Sequence, residues 1–168
     1  MPVRKKSAKP AKKAAKTKPR AHASTTQVSG RMGTFTVARG HVTIGVPAFW
    51  TFRQTNEDLQ VESPTGDTSV IVTAYERNTD GSSLDARTYL DHFLANAPHQ
   101  SRIQRNGASK SSAAARYRDP DGHNWIVQFM TNGSTLLLAE LSTSKPLNGR
   151  EAKLGMGVLE SVALKRKR

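Results

Sequence analysis

Two tight turns constrain this chain more than any other feature. Asp119-Pro-Asp-Gly at 119–122 and Asn132-Gly133 separate three runs rich in strand-forming residues, SSAAARYR, HNWIVQFMT and STLLLAELS. Connections this short reverse the chain, and their flanks can pair only as antiparallel neighbours. A further run, SRIQRNG, precedes them. The order predicts an antiparallel meander of four strands.

Upstream, apolar alternation marks more strands. Phe35 and Val37 alternate, then Val42, Ile44 and Val46, with Gly40 between the two sets. DLQVE at 58–62 is a further short strand, PTGD at 64–67 a turn, and SVIVTAYE at 69–76 a strand apolar on both sides and so central. The period then changes. In LDARTYLDHFLANAP, Ala86, Leu90, Phe93, Leu94 and Ala97 fall on one helical stripe. Ser82 or Ser83 is placed to cap it, Asp85 suits its positive end, and Pro98 stops it. A second helix is predicted from Asn148 to Val162, with Ala152, Met156, Leu159 and Ala163 as its stripe, widened by Val158 and Val162. Gly155 and Gly157 weaken that helix and point to close contact with a neighbour. Strands, helix, strands, helix in this order give an α+β domain, an antiparallel sheet with helices packed on it.

The charge is segregated. Of 168 residues, 26 are Lys or Arg and 13 Asp or Glu, so the formal net charge is +13. Nine cations, Arg4, Lys5, Lys6, Lys9, Lys12, Lys13, Lys16, Lys18 and Arg20, lie in residues 1–20 without one acid. Four more, Lys165, Arg166, Lys167 and Arg168, close the chain. Residues 21–164 hold 13 basic and 13 acidic side chains and are neutral. The Lys/Ala/Pro composition of the first 20 residues contains nothing that offsets ordering entropy, which predicts a disordered tail. Closely spaced ammonium groups neutralise phosphates in a sequence-blind, salt-sensitive manner. The expected partner of the tail is therefore nucleic acid or another polyanion, bound non-specifically. The small polar segment 21–33 reads as a linker, residues 34–164 as the folded domain, and 165–168 as a basic end.

There is no cysteine, which excludes disulfides and thiolate metal sites. No apolar run of signal-peptide length follows the basic start, and LLLAEL at 136–141 is too short to span a bilayer. A cytoplasmic protein without membrane insertion is expected.

No catalytic motif stands out. His22, His41, His92, His99 and His123 are scattered. The cluster Asp119, Asp121 and His123 offers too few oxygens for a hard metal ion, and a hairpin turn accounts for it apart from His123. GMG at 155–157 lies within a helix rather than after a strand, so it is no dinucleotide fingerprint. Neither enzyme activity, cofactor nor metal is expected. Ser-rich 107–115 reads as a flexible loop leading into a small-residue strand, and Trp125 as core beside Val127 and Phe129. Phe49, Trp50 and Phe52 form an aromatic cluster beside Pro47. Two of the three suit the core, and one can line a groove for a protein partner.

The opening GHVTIGVPAFWTF, with its Pro47-x-x-Trp50 segment, and the closing Leu159-Glu160-Ser161-Val162 resemble the PsbP/DcrB-like superfamily. The resemblance spans about 130 residues and implies an α/β/α sandwich around an antiparallel sheet. Members include a photosystem II extrinsic subunit, a nuclear small-GTPase release factor, envelope lipoproteins and chaperones of secreted toxins. Most are non-catalytic binding proteins. The basic tail, separately, is similar to those of linker histones and bacterial histone-like proteins. An adaptor tethered to a polyanion is the leading expectation, and a chaperone for a hydrophobic client segment is the alternative.

Overall fold

The computed structural model describes residues 24–27, 32–37, 42–55, 58–76, 84–97 and 101–164. The basic ends, His22, His41, His99, Ser82, Ser83 and Pro98 lie outside these residues.

Six strands come first: β1 (Ser24–Gln27), β2 (Met32–Val37), β3 (Val42–Pro47), β4 (Thr51–Gln54), β5 (Asp58–Glu62) and β6 (Thr68–Glu76). Then come α1 (Ala86–Asn96), β7 (Ser101–Ala108), β8 (Ser112–Arg118), β9 (Asn124–Thr131), β10 (Thr135–Thr143), α2 (Arg150–Ser161) and β11 (Ala163–Leu164). Eight strands form one antiparallel sheet in the order β1-β4-β5-β6-β10-β9-β8-β7, and β11-β3-β2 form a second, small one. The α+β class is as expected, and the predicted meander is β7 to β10.

Three strands depart from the sequence reading. The segment read as a linker contains β1, which pairs along β4 from Ser24↔Gln54 to Gln27↔Thr51. Its sequence, STTQ, has no apolar alternation, because an edge strand of this kind is held by main-chain bonds. β4 itself was hidden within the aromatic cluster. β11 is two residues long and pairs with β3, too short for periodicity to register.

The hairpins form where the turn residues stand. Gly122 N–H donates to Asp119 O at 3.1 Å and Asp119 N–H to His123 O at 3.0 Å. Asn132 Oδ1 accepts from Ser134 and Thr135 N–H. The Ser-rich segment is not a loose loop. Ser109 N–H donates to Ser112 O at 2.8 Å, and Ser112 N–H donates back to Ser109 Oγ at 3.0 Å. Lys110 O in the same turn accepts from Ala86 N–H at 2.9 Å, which ties the start of α1 to the β7–β8 hairpin.

Strand β10 divides the core. Leu137, Ala139 and Leu141 join Val158 and Leu159 of α2, together with Val42, Ile44, Val46, Leu59, Val61, Val70 and Val72. Leu136 and Leu138 point the other way, to Leu90 and Leu94 of α1 with Ala113, Ala115, Val127 and Phe129. The period of two thus sends alternate residues of one strand into two cores, with a helix on each side. The cap of α1 is Asp85, whose carboxylate accepts from Arg87 N–H at 2.9 Å and Thr88 N–H at 3.3 Å.

The second helix is pressed close to the sheet at Gly155. A Cβ built there meets Leu141 Cδ1 and Thr68 Cγ2 at 2.8 Å and Trp50 Cη2 at 3.6 Å, whereas one at Gly157 meets nothing within 4 Å. Only the first glycine is explained by close packing. The C-terminal end of the helix is fastened by Ser161, whose Oγ accepts from Gly45 N–H at 2.8 Å and donates to Val158 O at 2.6 Å.

Candidate functional site

The segment Pro47–Trp50 is a tight turn. Trp50 N–H donates to Pro47 O at 3.3 Å, and Phe49 between them has φ +68°, the left-handed region. The turn splits the aromatic cluster. Trp50 and Phe52 are buried in the α2-side core, while Phe49 is 69% exposed. A large aromatic is held outward in a backbone conformation that disfavours it.

A second, larger feature lies on the other side of the sheet. Directly paired residues point to the same face, so the registers place Tyr117, Trp125, Val127, Glu140 and Ile71 on the face that carries α1. The helix packs on β8 and β9, and among the described residues no helix covers the β4-β5-β6 part of this face. At the edge of its cover opens a cavity of about 440 Å³, lined by His92, Phe93, Asn96 and Ala97 from α1 and by Tyr117, Asp119, Trp125 and Glu140 from the sheet end. That volume falls in the range of small-ligand pockets.

Each wall has a cause. Tyr117 and Trp125 are directly paired across β8 and β9, and their rings stack with centroids 6.2 Å apart and planes 8° from parallel. Phe93 meets Phe129 edge-on at 5.9 Å. Trp125 Nε1 donates to Asp119 Oδ2 at 2.8 Å, and Asp119 Oδ1 accepts from His123 N–H at 2.8 Å. The His123 ring lies 3.6 Å from the same carboxylate. Burial pushes the Asp119 carboxyl upward, but the Trp125 and His123 hydrogen bonds and the His123 charge outweigh it and leave it below its ordinary value. The turn read as a bland hairpin is therefore also the anchor of an aromatic wall.

Glu140 is the unusual member. It sits in the most apolar strand, beside Leu138 and opposite Val127 and Ile71. Burial, and then the charge of Asp58, raise its carboxyl above the ordinary glutamate value. Asp58 is itself engaged by Thr73 Oγ1 at 3.0 Å. Among the described residues nothing donates a hydrogen bond or pairs a cation to Glu140. Tyr117 is pushed up to about 12 by burial and by the charges of Glu140 and Asp119.

The cavity was missed in the sequence. Trp125 was expected in the core. It does share a face with Val127 and Phe129, but it is only half-buried, because α1 ends its cover there. The one legible signal was an acid inside the run LLLAEL. Among the described residues no group of three or more His, Asp or Glu is arranged to hold a metal ion, and no helix is long and apolar enough to cross a membrane.

No protein-family model matches the chain, and no curated protein matches it in sequence. Solved structures do. The chain is similar to the solution structure of cyanobacterial PsbP (CyanoP) from Synechocystis sp. PCC 6803, with a TM-score of 0.58 and 14% identity over 80% of this chain and 93% of that one. It is also similar to a crystal structure from Bacteroides thetaiotaomicron, with a TM-score of 0.51 and 11% identity over 83% of this chain and 50% of that one. At such identities the likeness is one of fold. The two short segments that carried the resemblance have structural work in it: Trp50 packs beside Gly155, and Ser161 joins α2 to β3. The chain has a PsbP-like fold.

Proposed function

We propose that this chain is a non-catalytic binding module of the cytoplasm, an adaptor whose folded body selects a protein partner while its basic ends hold it near nucleic acid or another polyanion. One observation carries the reading. The thirteen cations of residues 1–20 and 165–168 equal the whole net charge, and residues 21–164 are neutral. Binding by such ends is driven by counterion release and reads no bases. Selectivity then belongs to the body, where charges are balanced locally, as in Lys145 with Asp67 at 3.0 Å and Arg105 with Asp91. Phe49, exposed on its strained turn, is the side chain best placed to meet a protein partner.

The test is binding to duplex and single-stranded DNA over a salt series, with the intact chain and with a variant in which the nine cations of residues 4–20 are glutamine. The intact chain should bind with a log–log salt slope of about −5 if roughly six phosphate contacts form, and the variant should lose most of that affinity. Equal, salt-insensitive binding by both forms refutes the tether. The chaperone alternative is less well supported, because the cavity beside α1 carries two carboxylates and suits an apolar client poorly.

A further inference from the structure

We propose that the cavity between α1 and the sheet is a binding site for an organic cation, an ammonium head on a short apolar stem, taken up by aromatic faces and the Glu140 carboxylate. The adaptor reading is not needed for this.

The first support is Glu140. A partly buried carboxylate is stable when paired, and this one has no hydrogen-bond donor or cation among the described residues. Lining the same cavity are Asp119, the imidazole of His92 and the neutral side chains of Phe93, Tyr117 and Trp125. Among the described residues no Lys or Arg lines it. An occupant that enters with a positive charge meets a carboxylate that has no counter-ion among the described residues.

The second support is the wall. Three aromatic side chains converge on the opening, two of them stacked. Aromatic faces attract ammonium groups through the ring quadrupole, most of all where water is displaced. Trp125 is held in place through Nε1 by Asp119, so its ring is oriented before any ligand arrives. Such preorganisation limits the entropy lost on binding.

Competing occupants fit worse. A hard divalent ion needs about six oxygens, and among the described lining residues there are two carboxylates. An anion meets two like charges. A neutral apolar group fills the aromatic space yet leaves Glu140 unpaired.

The experiment titrates the intact chain with choline, with its uncharged isostere in which a quaternary carbon replaces the nitrogen, and with Nα-acetyl-Nε-trimethyl-lysine methylamide. The readout is the amide and indole N–H spectrum, with the Trp125 indole, Asn96 and His123 signals as reporters. Either cation should produce saturable shifts at these positions, and the isostere should bind about tenfold more weakly. The better of the two cations distinguishes a free small molecule from a lysyl side chain of a protein as the natural source. E140Q, which keeps the shape, should reduce that preference for the cation to threefold or less while its other signals remain in place. Equal binding of cation and isostere overturns the proposal, as does the absence of saturable shifts with every probe. Unaltered cation preference in E140Q overturns it too.

Discussion

Two glycines two residues apart in one helix should respond to the same substitution with opposite signs. In α2, alanine in place of glycine gains about 1 kcal/mol of helix propensity at either position. At Gly157 the added methyl meets nothing within 4 Å, so that gain is retained and G157A should be stabilised by about 0.5–1 kcal/mol. At Gly155 the methyl would lie 2.8 Å from both Leu141 Cδ1 and Thr68 Cγ2, nearly an ångström inside carbon–carbon contact. Neither neighbour can withdraw easily. Leu141 is fully buried, and Thr68 is buried with its Oγ1 bonded to Thr143 Oγ1 at 2.8 Å. Overpacking of this kind costs about 1–3 kcal/mol. Less the propensity gain, G155A should be destabilised by up to about 2 kcal/mol. Urea unfolding of the two variants measures the difference directly, and at this size 1 kcal/mol corresponds to a Tm shift of about 2–4 °C. If G155A proves as stabilising as G157A, the close approach of α2 to the sheet is wrong, and with it the packing of Trp50 beneath the helix.

Three further outcomes follow from other parts of the molecule. Because burial raises the Glu140 carboxyl in the folded state, the native chain binds more protons than the unfolded one above the ordinary glutamate value of 4.5. The contribution of this group is therefore fully present below that pH and is lost as pH rises through the folded value. E140Q should be more stable than the parent at pH ~7 and should lose that advantage below pH ~4; urea midpoints at the two pH values check it. D85A removes the acceptor for Arg87 and Thr88 N–H and should cost about 1 kcal/mol, visible as a lower thermal midpoint, while D85N should retain most of the stability. F49G relieves the positive φ of an exposed side chain and should be neutral or stabilising by up to about 1 kcal/mol, a result that a buried or packed Phe49 would reverse.

The legibility of the sequence varied with the range of the interaction that shapes each element. The hairpins at 119–122 and 132–133, the stripe of α1 and the alternation of β3 were readable, since turn chemistry and side-chain period act within a few residues. β1 was not: STTQ has no pattern of its own and becomes a strand by lying along β4. Ser109–Ser111 looked loose for the same reason, although neighbouring backbone and α1 hold it. The candidate cavity was the least readable, because Phe93, Tyr117, Trp125 and Glu140 come from four elements.

Read alone, the amino-acid order settled an α+β chain with an antiparallel meander, two helices and a cationic surplus confined to its ends, because composition and periodicity are properties of contiguous residues. Tertiary structure decided which of Phe49, Trp50 and Phe52 stays outside, that Gly155 rather than Gly157 is required, and that Trp125 and Glu140 face a common space. Those outcomes depend on where α1 and α2 end over the sheet, and the reach of one element across another is set by packing between residues far apart in the chain.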